Sequence, residues 1–386
     1  MKRARSKLSL ALGVCIAAAL TPSNAAAFKI GSAFTDPCHE QITLRGFFQD
    51  DSLEGEQILV PSNIFEGKAA NQSATWLQIA QYLESEVDYT FRSDFERFLG
   101  ITLFIGTRYP DQANFAIMDI NSLRDLHLAV EGQEGHALRA IDYDFEFGNE
   151  QAVLSLRDYI RELVDEAYES FEGSRPESGA AITKTSLKNQ TVKVGFWLDF
   201  YGTIDVEVWR PLFLLGKAAH ALQDSFAHTY RSEDTKNIYA VGNFVEAIST
   251  DYAESRDGPR HSDQTDDCQD PRVKPLVDAA INATRALFFA FRDYLAASNA
   301  DEATRLAASA NLDRVIAEQT AYQSGCGFEN NYCETPWAEL AKEAETVPLL
   351  GCTNASPAPW FMTLAGLLCL QWYRRRRRST DQELIV

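Results

Sequence analysis

Apolar residues recur at helical spacing over most of this chain. Between 74 and 98, Leu77, Ile79, Ala80 and Leu83 fall towards one side while Glu84, Glu86 and Asp94 lie elsewhere, the pattern of an amphipathic helix. The same period predicts helices over 153–171, 206–231, 274–297 and 302–322. Between them, the β-branched and aromatic stretch 183–201 suits a short hairpin or an extended loop. Two segments rich in Gly, Pro and Asp, 106–111 and 257–261, read as inter-helix loops. The expected fold class is mainly α, a single helical domain with long loops that bring polar residues to one helix.

The pattern changes at both ends. Lys2, Arg3, Arg5 and Lys7 precede the apolar run 8–20, followed by Pro22 and the small residues of 24–27. That order predicts a secretory signal peptide over 1–27, cleaved after Ala27 so that the mature chain begins at Phe28. At the other end, Gly351 and Cys352 precede the apolar segment 360–373 and the five arginines 374–378. The apolar segment is short for a transmembrane helix, which needs about 20 such residues, although Trp and Arg flanks favour an anchor. This tail is similar to the three-part surface-sorting signals of myxobacteria and related Gram-negative bacteria. It divides the chain into 1–27, a body over 28–345 and a sorting or anchor tail over 346–386. The expected location is the outer surface, with membrane or cell-surface association through the tail, or release from the cell.

The chain carries a net charge of −19, and its basic ends leave the body more acidic still. Such a body has no footprint for duplex nucleic acid and gains solubility from its charge. With Cys15, Cys352 and Cys369 assigned to the ends, Cys38, Cys268, Cys326 and Cys333 remain. An even number in an exported protein suggests two disulfide bonds, preferably Cys326 with Cys333 and hence Cys38 with Cys268. A monomer is expected.

The sharpest chemistry lies in the stretch 216–230, where His220, Asp224 and His228 stand four residues apart. At 3.6 residues per turn they drift only about 40° per step, so they emerge along one helical face beside Leu215, Ala219, Leu222 and Phe226. Imidazole and carboxylate converging on one side suit a borderline cation such as zinc, and an unpaired buried carboxylate would cost several kcal/mol. Only six histidines occur, His39, His127, His136, His220, His228 and His261.

These residues resemble the zinc-dependent phospholipase C and single-strand nuclease superfamily, in which a helix bears His-x3-Asp followed by another His and later a carboxylate. The resemblance covers roughly 28–261. It implies an exported helical domain of the zinc-dependent phospholipase C type, holding up to three Zn2+ ions. Carried over by position, the metal ligands are the amine of Phe28, His39, Asp111, His136, His220, Asp224, His228, Glu246 and His261. Asp224 corresponds to the family's bridging carboxylate. His127 fits the family's spacing from Asp111 and His136 fits its local context, so both stay open as the middle ligand, with His136 preferred. The chain departs from the family in two places: His228 follows Asp224 two residues early, and Gly242 stands where a histidine precedes the closing carboxylate.

By that resemblance the activity is phosphodiester hydrolysis, most simply phospholipase C action on phospholipid head groups, with Asp111 as the catalytic residue that orients or deprotonates water. A single-strand nuclease of the same fold, or a non-catalytic surface-displayed binding protein, are the alternatives. The aromatic group Phe196, Trp197, Phe200 and Tyr201 suits either a core or lipid contact.

Overall fold

In a computed structural model, the described residues are 37–48, 74–87, 89–91, 94–113, 115–116, 119–141, 147–173, 190–198, 202–248, 251–262 and 264–346. The expected signal peptide 1–27, Phe28, residues 49–73 and 174–189, Phe200, Tyr201 and the residues beyond Thr346 lie outside them. The described body belongs to one compact unit spanning Asn24–Glu345. Among the described residues no helix is long and apolar enough to cross a membrane.

The body is mostly helical with a small amount of sheet. In chain order the helices are α1 (Cys38–Phe48), α2 (Ala74–Glu86), α3 (Asp94–Gln112), α4 (Ile120–His127) and α5 (Gly148–Gly173), then α6 (Arg210–Ala227), α7 (Glu254–Asp257), α8 (Lys274–Ala296), α9 (Glu302–Gln319) and α10 (Pro336–Thr346). Two strands, β1 (Thr191–Leu198) and β2 (Gly202–Trp209), form an antiparallel hairpin in the register Thr191 to Trp209. A second sheet has the order β3–β4–β5, from Thr229–Arg231, Asn237–Val241 and Ala321–Tyr322, with β4 and β5 parallel.

Helix α6 is the centre of the body. Every residue from Pro211 to Ala227 except Lys217 is buried, and the helix packs against α3, α5 and α8. Pro211 near its first turn has the fixed φ that suits a helix start, and the chain leaves helical geometry at His228. The expected helix over 206–231 is therefore three elements: the end of β2, α6, and β3. The pairing of β1 with 202–209 claims the first residues, because Ile204, Val206 and Val208 alternate inward as a strand. The expected helix over 74–98 likewise divides into α2 and α3.

The segment 106–111, read above as a loop, is instead the last part of α3. Leu103, Phe104 and Ile105 are buried before it and Thr107, Arg108 and Asp111 within it, so core packing outweighs the break that Pro110 would impose. Glycines explain how closely α3 meets α6. A Cβ on Gly216 would lie 2.6 Å from the carbonyl of Leu103 and 2.9 Å from the Cα of Gly106. The backbones therefore touch at Gly106 and Gly216, one turn before Asp111 and His220 respectively.

Two disulfide bonds, Cys38–Cys268 and Cys326–Cys333, match the preferred pairing. Phe196 is buried against Phe104 and belongs to the core, while Trp197 is half-buried.

Candidate metal centre

The residues of α6, α3 and the turn Val130–His136 meet in one buried group. Asp111 comes from the last turn of α3, His136 from the end of that 3-10 turn, and His220 and Asp224 from α6. The turn ends where Ala137 adopts left-handed geometry (φ 50°), which reverses the chain beneath α6.

Five of the six separations among the four donor atoms run from 3.0 to 3.6 Å. Asp111 Oδ1 lies 3.4 Å from His136 Nδ1 and 3.6 Å from His220 Nε2. Asp224 Oδ2 lies 3.4 Å from His136 Nδ1 and 3.0 Å from His220 Nε2, and the two nitrogens are 3.4 Å apart. A tetrahedral cation with N and O ligands at about 2.0–2.1 Å spaces its donors by about 3.3 Å, which matches this set.

His39, from the first turn of α1, closes the other side of Asp224, with its Nε2 2.9 Å from Asp224 Oδ1 and 3.9 Å from Asp111 Oδ2. Its Nδ1–H donates to Gln223 Oε1 at 2.7 Å, and Gln223 in turn donates to Thr43 and Thr284. This chain of buried hydrogen bonds fixes the His39 ring with Nε2 towards the carboxylate.

A second group joins His228, His261 and Asp266, all buried or nearly so. His228 Nε2 lies 3.7 Å from Asp266 Oδ1, and His261 Nε2 lies 3.1 Å from Asp266 Oδ2. His228 Nδ1–H donates to the carbonyl of His136, so one group's imidazole grips the backbone of the other's. The His-Asp-His series is thus divided: His220 and Asp224 face the first group, and His228, beyond the end of α6, turns into the second.

Glu246 joins neither group. It accepts from Asn243 Nδ2 at 2.6 Å, and its own N–H donates to Asn243 Oδ1, so the pair closes a local turn. Asp266 is the carboxylate that stands with His228 and His261. Gly242 explains the missing histidine, because its N–H donates to the His228 carbonyl at 2.7 Å and a Cβ there would lie 2.9 Å from that oxygen. The adjoining bridge between Asn243 and Arg260 brings His261 alongside. The sequence reading missed Asp266, whose one signal was its position two residues before Cys268, the disulfide partner of His39's neighbour Cys38.

His127, the last residue of α4, points Nε2 at Asp111 Oδ1 from 3.4 Å and donates Nδ1–H to the Leu123 carbonyl. The structure therefore brings both histidines left open above to Asp111. Phe28 lies outside the described residues.

Both carboxylate oxygens of Asp111 and of Asp224 are buried without a hydrogen-bond partner, as are the Nε2 atoms of His127 and His228. Each of these histidines spends its Nδ1–H on a carbonyl, so a neutral ring presents a lone pair to a carboxylate oxygen. Lone pair against lone pair at this depth requires a cation or a proton between them. Protons do part of this without metal. Burial opposes charge on His39, but Asp224 and then Asp111 outweigh it and raise its pKa to about 9. Burial would raise Asp111 and Asp224, yet His220 and the other neighbouring histidines hold both below the usual carboxylate range. Burial pushes His136 down to about 4, against the pull of Asp224. A neutral His136 beside two carboxylates has a lone pair to offer a cation. The donor set, imidazole and carboxylate alone, could hold a divalent metal ion.

No family model, no curated protein and no solved structure matches this chain.

Proposed function

We propose that this protein is a zinc-dependent phosphodiester hydrolase of the phospholipase C type, exported and displayed at the cell surface. The observation that carries the reading is the convergence of buried carboxylates without hydrogen-bond partners on imidazole nitrogens at tetrahedral spacing. Asp111, His136, His220 and Asp224 would hold one ion. His228, His261 and Asp266 would hold a second, and His39 with Asp224 Oδ1 would contribute to a third. Bound zinc supplies an ionised water near neutral pH and stabilises charge on phosphoryl oxygens. Asp111 Oδ1 faces His127, His136 and His220, and its Oδ2, whose nearest imidazole is His39 at 3.9 Å, would orient an attacking water or take its proton. Asp224 divides its oxygens between His39 and the pair His136 and His220, the arrangement a bridging carboxylate needs. Export is supported by the two disulfide bonds, which persist in oxidising compartments.

The depth of the first group favours a second reading. Four protein donors close a structural zinc site, whereas a catalytic site keeps a position open. The three-residue group around Asp266 has that open count. Turnover separates a hydrolase from a surface protein with structural zinc.

The test is metal content by mass spectrometry on the cleaved, exported body, with hydrolysis of a chromogenic phosphocholine ester and of single-stranded DNA. About two or three zinc ions per chain, with ester turnover abolished by chelation and restored by zinc, are expected. Cleavage of DNA alone would assign the nuclease activity. Zinc with neither turnover would leave the structural reading, and no zinc would overturn both.

A further inference from the structure

Both His127 and His136 reach Asp111, and the resemblance calls for one middle histidine. His127 completes the first group from a direction the other ligands leave uncovered. Its backbone is set by α4, and its ring is anchored within the same helix, Nδ1–H to the Leu123 carbonyl at 2.7 Å. Gln133, wholly buried, donates from Nε2 to the carbonyls of His127 and Ala129 at 2.7 and 2.9 Å, tying the end of α4 to the turn that carries His136. The two rings then stack, with centroids 4.9 Å apart and planes at 28°. Nothing in this arrangement serves core packing alone, since an apolar ring would stack equally well without placing a buried Nε2 against a carboxylate. The side chain of His127 is 12% exposed, against 6% for His136 and 0% for His220, so it stands on the solvent side of the group.

We propose that His127 is a further metal ligand, binding through Nε2 the cation that Asp111 shares with His136 and His220. This rests on the metal-centre reading above. The first ion then gains an imidazole on the Asp111 side of the group.

The experiment loads the oxidised, mature chain with Co2+ in place of zinc and records its visible absorption, for the native protein, His127→Ala and His127→Gln. Glutamine keeps a donor for the Leu123 carbonyl, and thermal melts of the loaded proteins establish that each variant folds. Loss of a ligand lowers the coordination number, so both variants should show a stronger and shifted cobalt spectrum with about 10–100-fold weaker metal retention against a chelator. Weaker retention with an unchanged spectrum would make His127 a positioning residue for Asp111 and overturn the inference. An unchanged spectrum with unchanged retention would overturn it as well. A native chain that takes up no Co2+ would overturn the metal centre itself, a failure visible before any variant is made.

Discussion

Asp224 has one oxygen towards His39 and the other towards His136 and His220, so each oxygen serves a different side of the centre. Asp224→Asn keeps the shape and removes the charge. Its expected result is loss of at least one zinc ion per chain and a fall in ester hydrolysis of 100-fold or more; unchanged zinc content would refute the bridging role. The same carboxylate sets a pH dependence in the metal-free protein. His39 has its pKa raised from 6.5 to about 9, so it takes up a proton on folding between these values. Its contribution to stability is full below pH 6.5 and is lost as pH rises through about 9. Chelated protein melted from pH 6 to 10 should lose thermal stability over that window, and zinc-loaded protein, whose His39 must stay neutral, should not. The roles of His220 and Asp224 could be read from the chain because i,i+4 spacing fixes a helical pair. His136 was reached only through the family resemblance, with His127 left open beside it, and Asp266 was missed, since turns and loops obey no such period and only the fold brings them within reach of α6.

At the scale of elements, the meeting of Gly106 and Gly216 sets the distance between α3 and α6, and with it the distance between Asp111 and His220. Gly216→Ala places a methyl 2.6 Å from the Leu103 carbonyl, a backbone atom that cannot swing aside. We expect a loss of about 1–3 kcal/mol in stability and weaker zinc retention, measured by denaturant unfolding and chelator competition. A variant that loses stability but retains zinc fully would show that the ligands tolerate a wider crossing. Here sequence and structure diverge instructively. Helices α5 and α8 followed from apolar periodicity, because each buries one face and exposes the other, whereas α9 buries only Leu312, Val315 and Ile316. Pro110 misled the reading of 106–111, since local propensity argued for a break and only burial of Thr107, Arg108 and Asp111 against neighbouring elements argues for helix. The hairpin β1–β2 was half legible: its first strand lies in the β-branched stretch, but its second hid in front of α6.

Across the whole molecule, the bond between Cys38 and Cys268 spans 230 residues and fastens the start of α1, with His39, to the loop carrying Asp266. Replacing both cysteines by alanine should cost about 2–5 kcal/mol and lower zinc content, whereas removing Cys326–Cys333, which encloses 7 residues of separation, should leave zinc content unchanged. Equal zinc loss in both variants would show a general effect of unfolding rather than a local one. The two ligand groups also communicate directly, through the bond from His228 Nδ1–H to the carbonyl of His136. An ion held by His228 Nε2 would polarise that N–H and strengthen its hold on the segment that orients His136. Occupancy of either group would therefore raise affinity in its neighbour, and linkage would make the effect reciprocal. Withdrawal of zinc by a graded chelator should be cooperative, with ions leaving together and few half-filled molecules in between.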